Sequence, residues 1–190
     1  YQISKRKSIS KKKFKILIVH GLLPKYSNVI YSVPMSCEQV RAYIKNQINF
    51  INFIYEDFQS AITIKSYPNS FNYSENKIFE NLFPRINIFK SRDKLLNIVQ
   101  NYSIVITTYN ATTFLETIKI NFPTLIFWNT NHWELRKESE IIFKELKTVG
   151  IFHESEESAA KFLHKISNNI SKWWLSKEVQ FARNNLLKNY

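Results

Sequence analysis

The sequence predicts an α/β domain layered around a parallel sheet, and two observations carry that expectation. Short continuous apolar runs, rich in β-branched residues and bounded by turn residues, recur along the chain. Between them lie stretches whose apolar positions repeat at helical spacing, and strands buried on both faces read as unbroken apolar runs of this kind. Residues 14–20 (Phe14 to His20) form the first such run, closed by Gly21 and Pro24, and a polar–aromatic loop with Pro24 and Pro34 covers 22–35. Ser36-Cys37-Glu38-Gln39 has the S-x-x-Q form of a capping box. Val40, Ile44, Ile48, Ile51, Ile54 and Phe58 then recur at helical spacing, so a long amphipathic helix is predicted.

A second strand is predicted over 61–65, running into Ser66-Tyr67-Pro68, where Pro68 holds Tyr67 extended. A weaker helix over 75–82, a short strand over 86–88 and a helix capped by Ser91 and carrying Leu95, Leu96, Ile98 and Val99 follow. The strand at Ile104 to Thr107 leads into a helix that ends before Pro123, and 124–128 is a further buried strand. A helix over 135–149 stops at Gly150, which suits the C-terminal position after a helix. Ile151-Phe152 is a last short strand. Ser155 caps a helix bearing Ala159, Phe162, Leu163, Ile166 and Ile170, and Trp173 and Trp174 lead into a final helix with Val179, Ala182 and Leu186. No internal repeat is visible, and residues 1–13 read as a basic linker or tail ahead of one domain over 14–190.

Composition excludes much. Gly21 and Gly150 are the only glycines among 190 residues, so neither a G-x-G-x-x-G fingerprint nor a P-loop can be drawn. Asp57 and Asp93 are the only aspartates, and no D-x-D pair exists to hold a divalent metal against a diphosphate. His20, His132, His153 and His164 lack ligand spacing, so neither a metal site nor a cofactor is expected. Lone Cys37 forbids an internal disulfide, fits a reducing compartment and reads as a small core or helix-end residue. No apolar run reaches the ~18–20 residues of a membrane span, and no signal-peptide pattern follows Tyr1. The chain reads as a piece of a longer protein.

The net charge of +12 is unevenly placed. Lys5, Arg6, Lys7, Lys11, Lys12, Lys13 and Lys15 all precede the first acid, Glu38, and supply more than half of it. Such a block reads first as a solvated linker or interaction tail. Weak contact with anionic lipid is the second reading. Nucleic acid ranks last, because the other basic residues alternate with acids along predicted helices, and no specific nucleic-acid partner is expected.

The most informative segment runs from Ile104 to Glu116. A buried strand ends in small polar residues, and a helix begins at once with Asn110, Thr112 and Thr113 at its start and Glu116 one turn in. Free N–H groups and the positive end of a helix dipole form an anion site. Glu116 stands far enough along to meet sugar hydroxyls. Strand–turn–helix units of this kind bind nucleotides at the carboxyl ends of parallel strands. An ordinary helix cap with a surface glutamate is the bland alternative, and it explains one polar residue better than four.

Pro24-Lys25-Tyr26-Ser27 with Tyr31-Ser32-Val33-Pro34, the block 109–116, and Phe127-Trp128-Asn129 through His132-Trp133-Glu134-Leu135-Arg136 together resemble a known family. So do Val149-Gly150-Ile151-Phe152-His153 and Ser158-Ala159-Ala160. The resemblance is to the C-terminal half of bacterial transferases associated with O-antigen and other surface-carbohydrate synthesis, and covers nearly everything from Lys15 to Tyr190. More distantly the layout is similar to the donor-binding domain of GT-B glycosyltransferases. That resemblance implies a Rossmann-like three-layer domain closed by C-terminal helices. It further implies Thr112 and Thr113 on phosphate, Glu116 on ribose or donor sugar, and a cytoplasmic setting at the inner membrane. The implied partners are a nucleotide-sugar donor and a glycan or lipid-linked acceptor, with the acceptor half outside this chain. Lys65-Ser66-Tyr67-Pro68 stands where capsule and sialic-acid-type transferases carry Lys-x-His-Pro on a cytidine nucleotide, with Tyr67 replacing the histidine.

The remaining candidates have two readings each. Glu134 and Arg136 follow a strand and should share its rim, gripping sugar hydroxyls and phosphate or else forming a first-turn salt bridge beside Trp133. Lys65 at a strand end is a phosphate clamp or a solvated edge lysine. Tyr67 stacks on a base or merely shapes a turn. His20 ends the first strand and points to the same rim, where a lone histidine is more often a structural hydrogen-bonder; His132 reads alike. Sugar transfer from a nucleotide-sugar is the function favoured. A nucleotide-sugar epimerase on the same scaffold and a non-catalytic nucleotide-binding module are the alternatives, since one fold hosts several chemistries.

Overall fold

The computed structural model describes residues 14–21, 36–54, 58, 60–67, 75–131 and 133–190. The basic segment 1–13, the loop 22–35 with the first block of the resemblance, Pro68 and His132 lie outside the described residues. Six strands form one sheet: β1 (Ile16–Val19), β2 (Ile62–Lys65), β3 (Asn87–Ile88), β4 (Ile104–Thr107), β5 (Thr124–Phe127) and β6 (Phe152–His153). All pairings are parallel, in the order β3-β2-β1-β4-β5-β6. The architecture is a Rossmann-like α/β fold; most predicted strands are trimmed by a residue or two at their ends, β4 matches its prediction, and the last strand is shifted by one residue to Phe152–His153.

Helices α1 (Cys37–Asn52), α2 (Glu75–Leu82), α3 (Leu95–Ile98), α4 (Thr112–Lys119), α5 (Lys137–Thr148), α6 (Glu156–Ile166), α7 (Ile170–Trp174) and α8 (Lys177–Asn189) cover both faces. On the first face Ile16, Ile18, Ile64, Ile106 and Phe127 meet Phe50 and Ile51 of α1, Phe79 of α2, and Ala159 and Leu163 of α6. On the second, Ile126 and Phe152 meet Phe114 and Ile118 of α4, Phe143 and Leu146 of α5, and Val179 and Ala182 of α8, while Leu17, Val19 and Val105 meet α3. Apart from the edge strand β3 and half-buried Thr63, the strand residues are buried, which is why they read as continuous apolar runs.

The predicted caps at Ser36 and Ser155 are present: Ser36 and Gln39 form the reciprocal capping box, and Ser155 accepts from the Ser158 N–H. Gly150 ends its helix at φ 78°, the left-handed conformation that glycine adopts without strain. Four expectations are corrected. Ser91 caps no helix; it accepts from the Asp93 N–H in a local turn, and α3 starts after Lys94 without a side-chain cap. The helix expected from residue 135 starts at Lys137, because Arg136 is still extended at φ −66°, ψ 146°. The helix begun at Ser155 stops at Ile166, and Ile170 belongs to α7, which Asn169 caps anew.

The fourth correction concerns α1, which ends at Asn52 rather than running on to Phe58. Its inner face is Val40, Tyr43, Gln47, Phe50 and Ile51, with Ile44 and Ile48 only half-buried. The helix is rotated from the stripe that apolar spacing predicts because its first turns lie over polar strand ends. There the Tyr43 phenol finds hydrogen-bond partners that isoleucine could not use.

Candidate switch-point site

In open parallel sheets ligands bind outside the carboxyl ends of the strands, where neighbouring connections leave in opposite directions. Here that point lies between β1 and β4, since β1 leads by way of α1 to β2 and β4 leads by way of α4 to β5. Register pairs Val19 with Thr107, so His20 and Gly21 leave the sheet beside Thr108 and Tyr109.

The first face of the crevice is closed by Tyr43. Its oxygen accepts the Gly21 N–H at 2.9 Å and lies 2.6 Å from Thr108 Oγ1, and the Thr108 hydroxyl donates to the Val19 carbonyl at 3.3 Å. Burial drives the Tyr43 phenol far above its ordinary range, with the Glu75 carboxylate adding to the effect. The group therefore stays protonated and donates to Thr108, giving a directed chain from Gly21 through Tyr43 and Thr108 to Val19. On the other side the Tyr109 ring lies against Gly21, where a Cβ would meet ring carbon at 2.8 Å. Two tyrosines thus hold the first glycine between them.

A helix follows β4 directly, as expected, but its first residues differ from expectation. Ala111 is the N-cap of α4, in extended conformation and without a side-chain bond to the helix. Thr112 is the exposed first residue, and Thr113 Oγ1 is engaged by the Tyr109 phenol at 2.5 Å. Asn110 is exposed in the turn. With no side-chain cap, the first N–H groups of α4 keep their donor capacity, and the dipole of the helix favours an anion there by about 0.3–1 kcal/mol. Glu116 is exposed in the second turn. Burial raises the Tyr109 phenol above its ordinary value, and the Glu116 carboxylate and Tyr67 both add to that shift, so each lies within electrostatic reach of Tyr109. Tyr67 is half exposed.

Lys65 is buried at the end of β2, with its ammonium 4.8 Å from the centre of the Phe89 ring. Burial lowers its pKa, and Asp93 opposes that shift. Lys65 is therefore no solvated edge lysine. It shares the second face with Val19 and Thr107, by the register of the strands. Glu134 and Arg136 follow β5 on the same rim, both exposed, and no ion pair among the described residues joins them. Glu134 lines a cleft of about 540 Å³ floored by Phe143 and Phe152, with Lys137, Lys144 and Lys147 at its edges. Trp133 packs edge-on against Tyr43, tying the β5 loop to α1.

His20 is fully buried, and its Nδ1 lies 2.5 Å from Glu75 Oε1 at the start of α2. The sequence reading missed Glu75, Tyr43 and Thr108. A histidine closing a buried strand requires a polar partner, which was a usable signal, but nothing in sequence pointed to one 55 residues away. Four buried side-chain atoms among the described residues have no hydrogen-bond partner: His20 Nε2, Gln47 Oε1, Thr107 Oγ1 and Trp128 Nε1. Three of them stand at the ends of β1, β4 and β5, and Gln47 sits one helical turn beyond Tyr43. Buried polar atoms without partners are rare and call for an explanation. Here they concentrate at the carboxyl end of the sheet.

Among the described residues no group of three His, Cys, Asp or Glu side chains converges, and no helix is long and apolar enough to cross a membrane. Trp173 and Trp174 are packing residues: their indole N–H groups donate to the Val149 and Asn121 carbonyls. Cys37 is an exposed first helical residue. No curated protein and no solved structure matches the chain. A family model described as LIC12162 family transferase matches residues 1–190, so this chain, from end to end, belongs to the LIC12162 family of transferases.

Proposed function

We propose that the chain is the donor-binding domain of a metal-independent glycosyltransferase, taking a sugar from a nucleotide-sugar to a surface polysaccharide or lipid-linked glycan. The observation that carries this reading is the uncapped start of α4 at the β1–β4 switch point, with Glu116 in its second turn and Tyr67 and Tyr109 beside it. Membership of a transferase family and the Rossmann-like parallel sheet support it. In this reading the α4 N–H groups and the Thr112 hydroxyl take the phosphate, with Asn110 beside them, and Glu116 takes ribose or sugar hydroxyls. Tyr67 stacks on the base, Lys65 supplies positive charge, and Glu134 and Arg136 grip the far end of the donor. Fixed dipoles then stabilise the departing phosphate without reorganising during reaction.

The test is calorimetric titration with CMP, CDP, UDP, GDP and dTDP at moderate salt, with tripolyphosphate as the polyanion control. One nucleotide should bind selectively, and Glu116→Ala should weaken it by about tenfold, the effect of losing one charged hydrogen bond. Equal, salt-sensitive binding of all six compounds would refute the site. Product analysis without acceptor separates transfer from epimerisation, because only an epimerase converts the donor by itself.

A further inference from the structure

We propose that His20 and Glu75 form the proton-carrying pair of the transfer reaction, with His20 Nε2 as the general base. The proposal rests on the sugar-transfer reading above and assigns to this chain a step that reading leaves open. Glu75 Oε1 faces Nδ1 at 2.5 Å, which fixes the plane of the ring and holds the proton on Nδ1. Nε2 is thereby left as an acceptor, and it has no partner among the described residues. The ring is flanked by Phe79 at 5.1 Å and by the edge of Tyr43 at 6.2 Å, so the pair sits in dry surroundings directly beyond the end of β1.

His153 supplies an internal comparison. It stands at the end of β6 as His20 does at β1, yet both of its nitrogens are satisfied, by Ser158 and by the Gly150 carbonyl. His153 uses both nitrogens; His20 uses one, and its Nε2 is buried beyond the end of β1 without a partner among the described residues. Nucleophile, base and orienting carboxylate in sequence is the arrangement by which a neutral imidazole accepts a proton in a transition state. Among the described residues, the charged and titratable groups around His20 are Glu75 on α2 and the protonated Tyr43 on α1, while Lys65 on β2 is turned to the opposite face over Phe89.

The acceptor hydroxyl oxygen forms a bond to the anomeric carbon of the donor, and its proton passes to Nε2. The bond from that carbon to the phosphate oxygen breaks, and its electron pair leaves with the nucleotide. Glu75 stabilises the imidazolium until the proton returns to solvent. Glu75 is thus a positioning residue acting through His20.

Two measurements on the full-length protein test this. Long-range proton–nitrogen spectra, with the His20 signal identified by its loss in His20→Gln, should show the Nδ1–H tautomer near neutral pH. Transfer from UDP-, GDP-, dTDP-, CDP- and CMP-linked sugars to a membrane extract of lipid-linked glycans should fall by about 10²–10⁴-fold in His20→Gln, the usual worth of a general base. Nucleotide affinity should be retained. Glu75→Gln should lose rate and Glu75→Asp should recover part of it. An Nε2–H tautomer in the wild type, or undiminished transfer by His20→Gln, would overturn the proton step and leave sugar transfer standing. Absence of transfer by the wild type would overturn sugar transfer itself, and the proton step with it.

Discussion

Tyr43 illustrates how much one hydroxyl arranges at this sheet edge. It joins the Gly21 N–H on β1 to Thr108 on β4 and keeps the two loops at a fixed separation. Tyr43→Phe leaves a buried N–H without its acceptor, which costs about 1–3 kcal/mol. Chemical denaturation should show a loss in that range, and a change below about 0.5 kcal/mol, the level of a surface substitution, would show that Gly21 finds another partner. His153 is the second informative residue. Burial, aided by Lys147 and opposed by the Gly150 carbonyl, pushes its pKa down to about 4. It is therefore neutral at pH 7, donating from Nε2 to Gly150 and accepting from Ser158 at Nδ1. Below the ordinary value of 6.5 the unfolded chain takes up a proton there that the folded chain refuses until about pH 4. Stability present above pH 6.5 is consequently lost as the pH falls through that window, by on the order of 3 kcal/mol. Denaturation at pH 7 and pH 4.5 should show a larger acid loss in the wild type than in His153→Gln; equal losses would refute the assignment.

Among the elements, the stop of α5 is the most constrained. Gly150 is left-handed at φ 78°, and the space its Cβ would need is filled by the Phe162 ring of α6. Gly150→Ala meets backbone strain and a clash together, so a loss of about 2–4 kcal/mol is expected in denaturant midpoints. A loss within surface-substitution range would mean that Phe162 yields freely. The elements also show what was legible in the sequence. Ser36, Ser155 and Gly150 act within four residues of themselves, and each marks the boundary that its chemistry implies. Ser91 and Leu135 mislead because a turn and an extended segment use the same residue types locally. The helix Cys37–Asn52 was found but turned wrongly, since apolar spacing reads the hydrophobic half of a helix, whereas Tyr43 and Gln47 are buried and Tyr43 bonds the polar strand ends.

At the scale of the whole molecule, the parallel sheet follows from apolar runs that are too continuous for a sheet with one wet face. The strand order β3-β2-β1-β4-β5-β6 does not follow from those runs, since pairing β1 with both β2 and β4 depends on contacts across 46 and 88 positions. The candidate site divides along the same line. Asn110, Thr112, Thr113 and Glu116 lie within seven residues, so local sequence defines them as one unit. Their meeting with Tyr67 and Tyr109, and the pairing of His20 with Glu75, come from strands and helices brought together by folding. Sequence by itself determined the strands, most of the helices, the caps at Ser36 and Ser155 and the stop at Gly150, because each depends on hydrogen bonds and burial over one or two turns. Only the tertiary structure decided that β1 and β4 are neighbours, which face α1 buries, and which buried polar atoms are left without partners. Those outcomes depend on non-local packing, where a buried donor or acceptor finds its partner in space rather than along the chain.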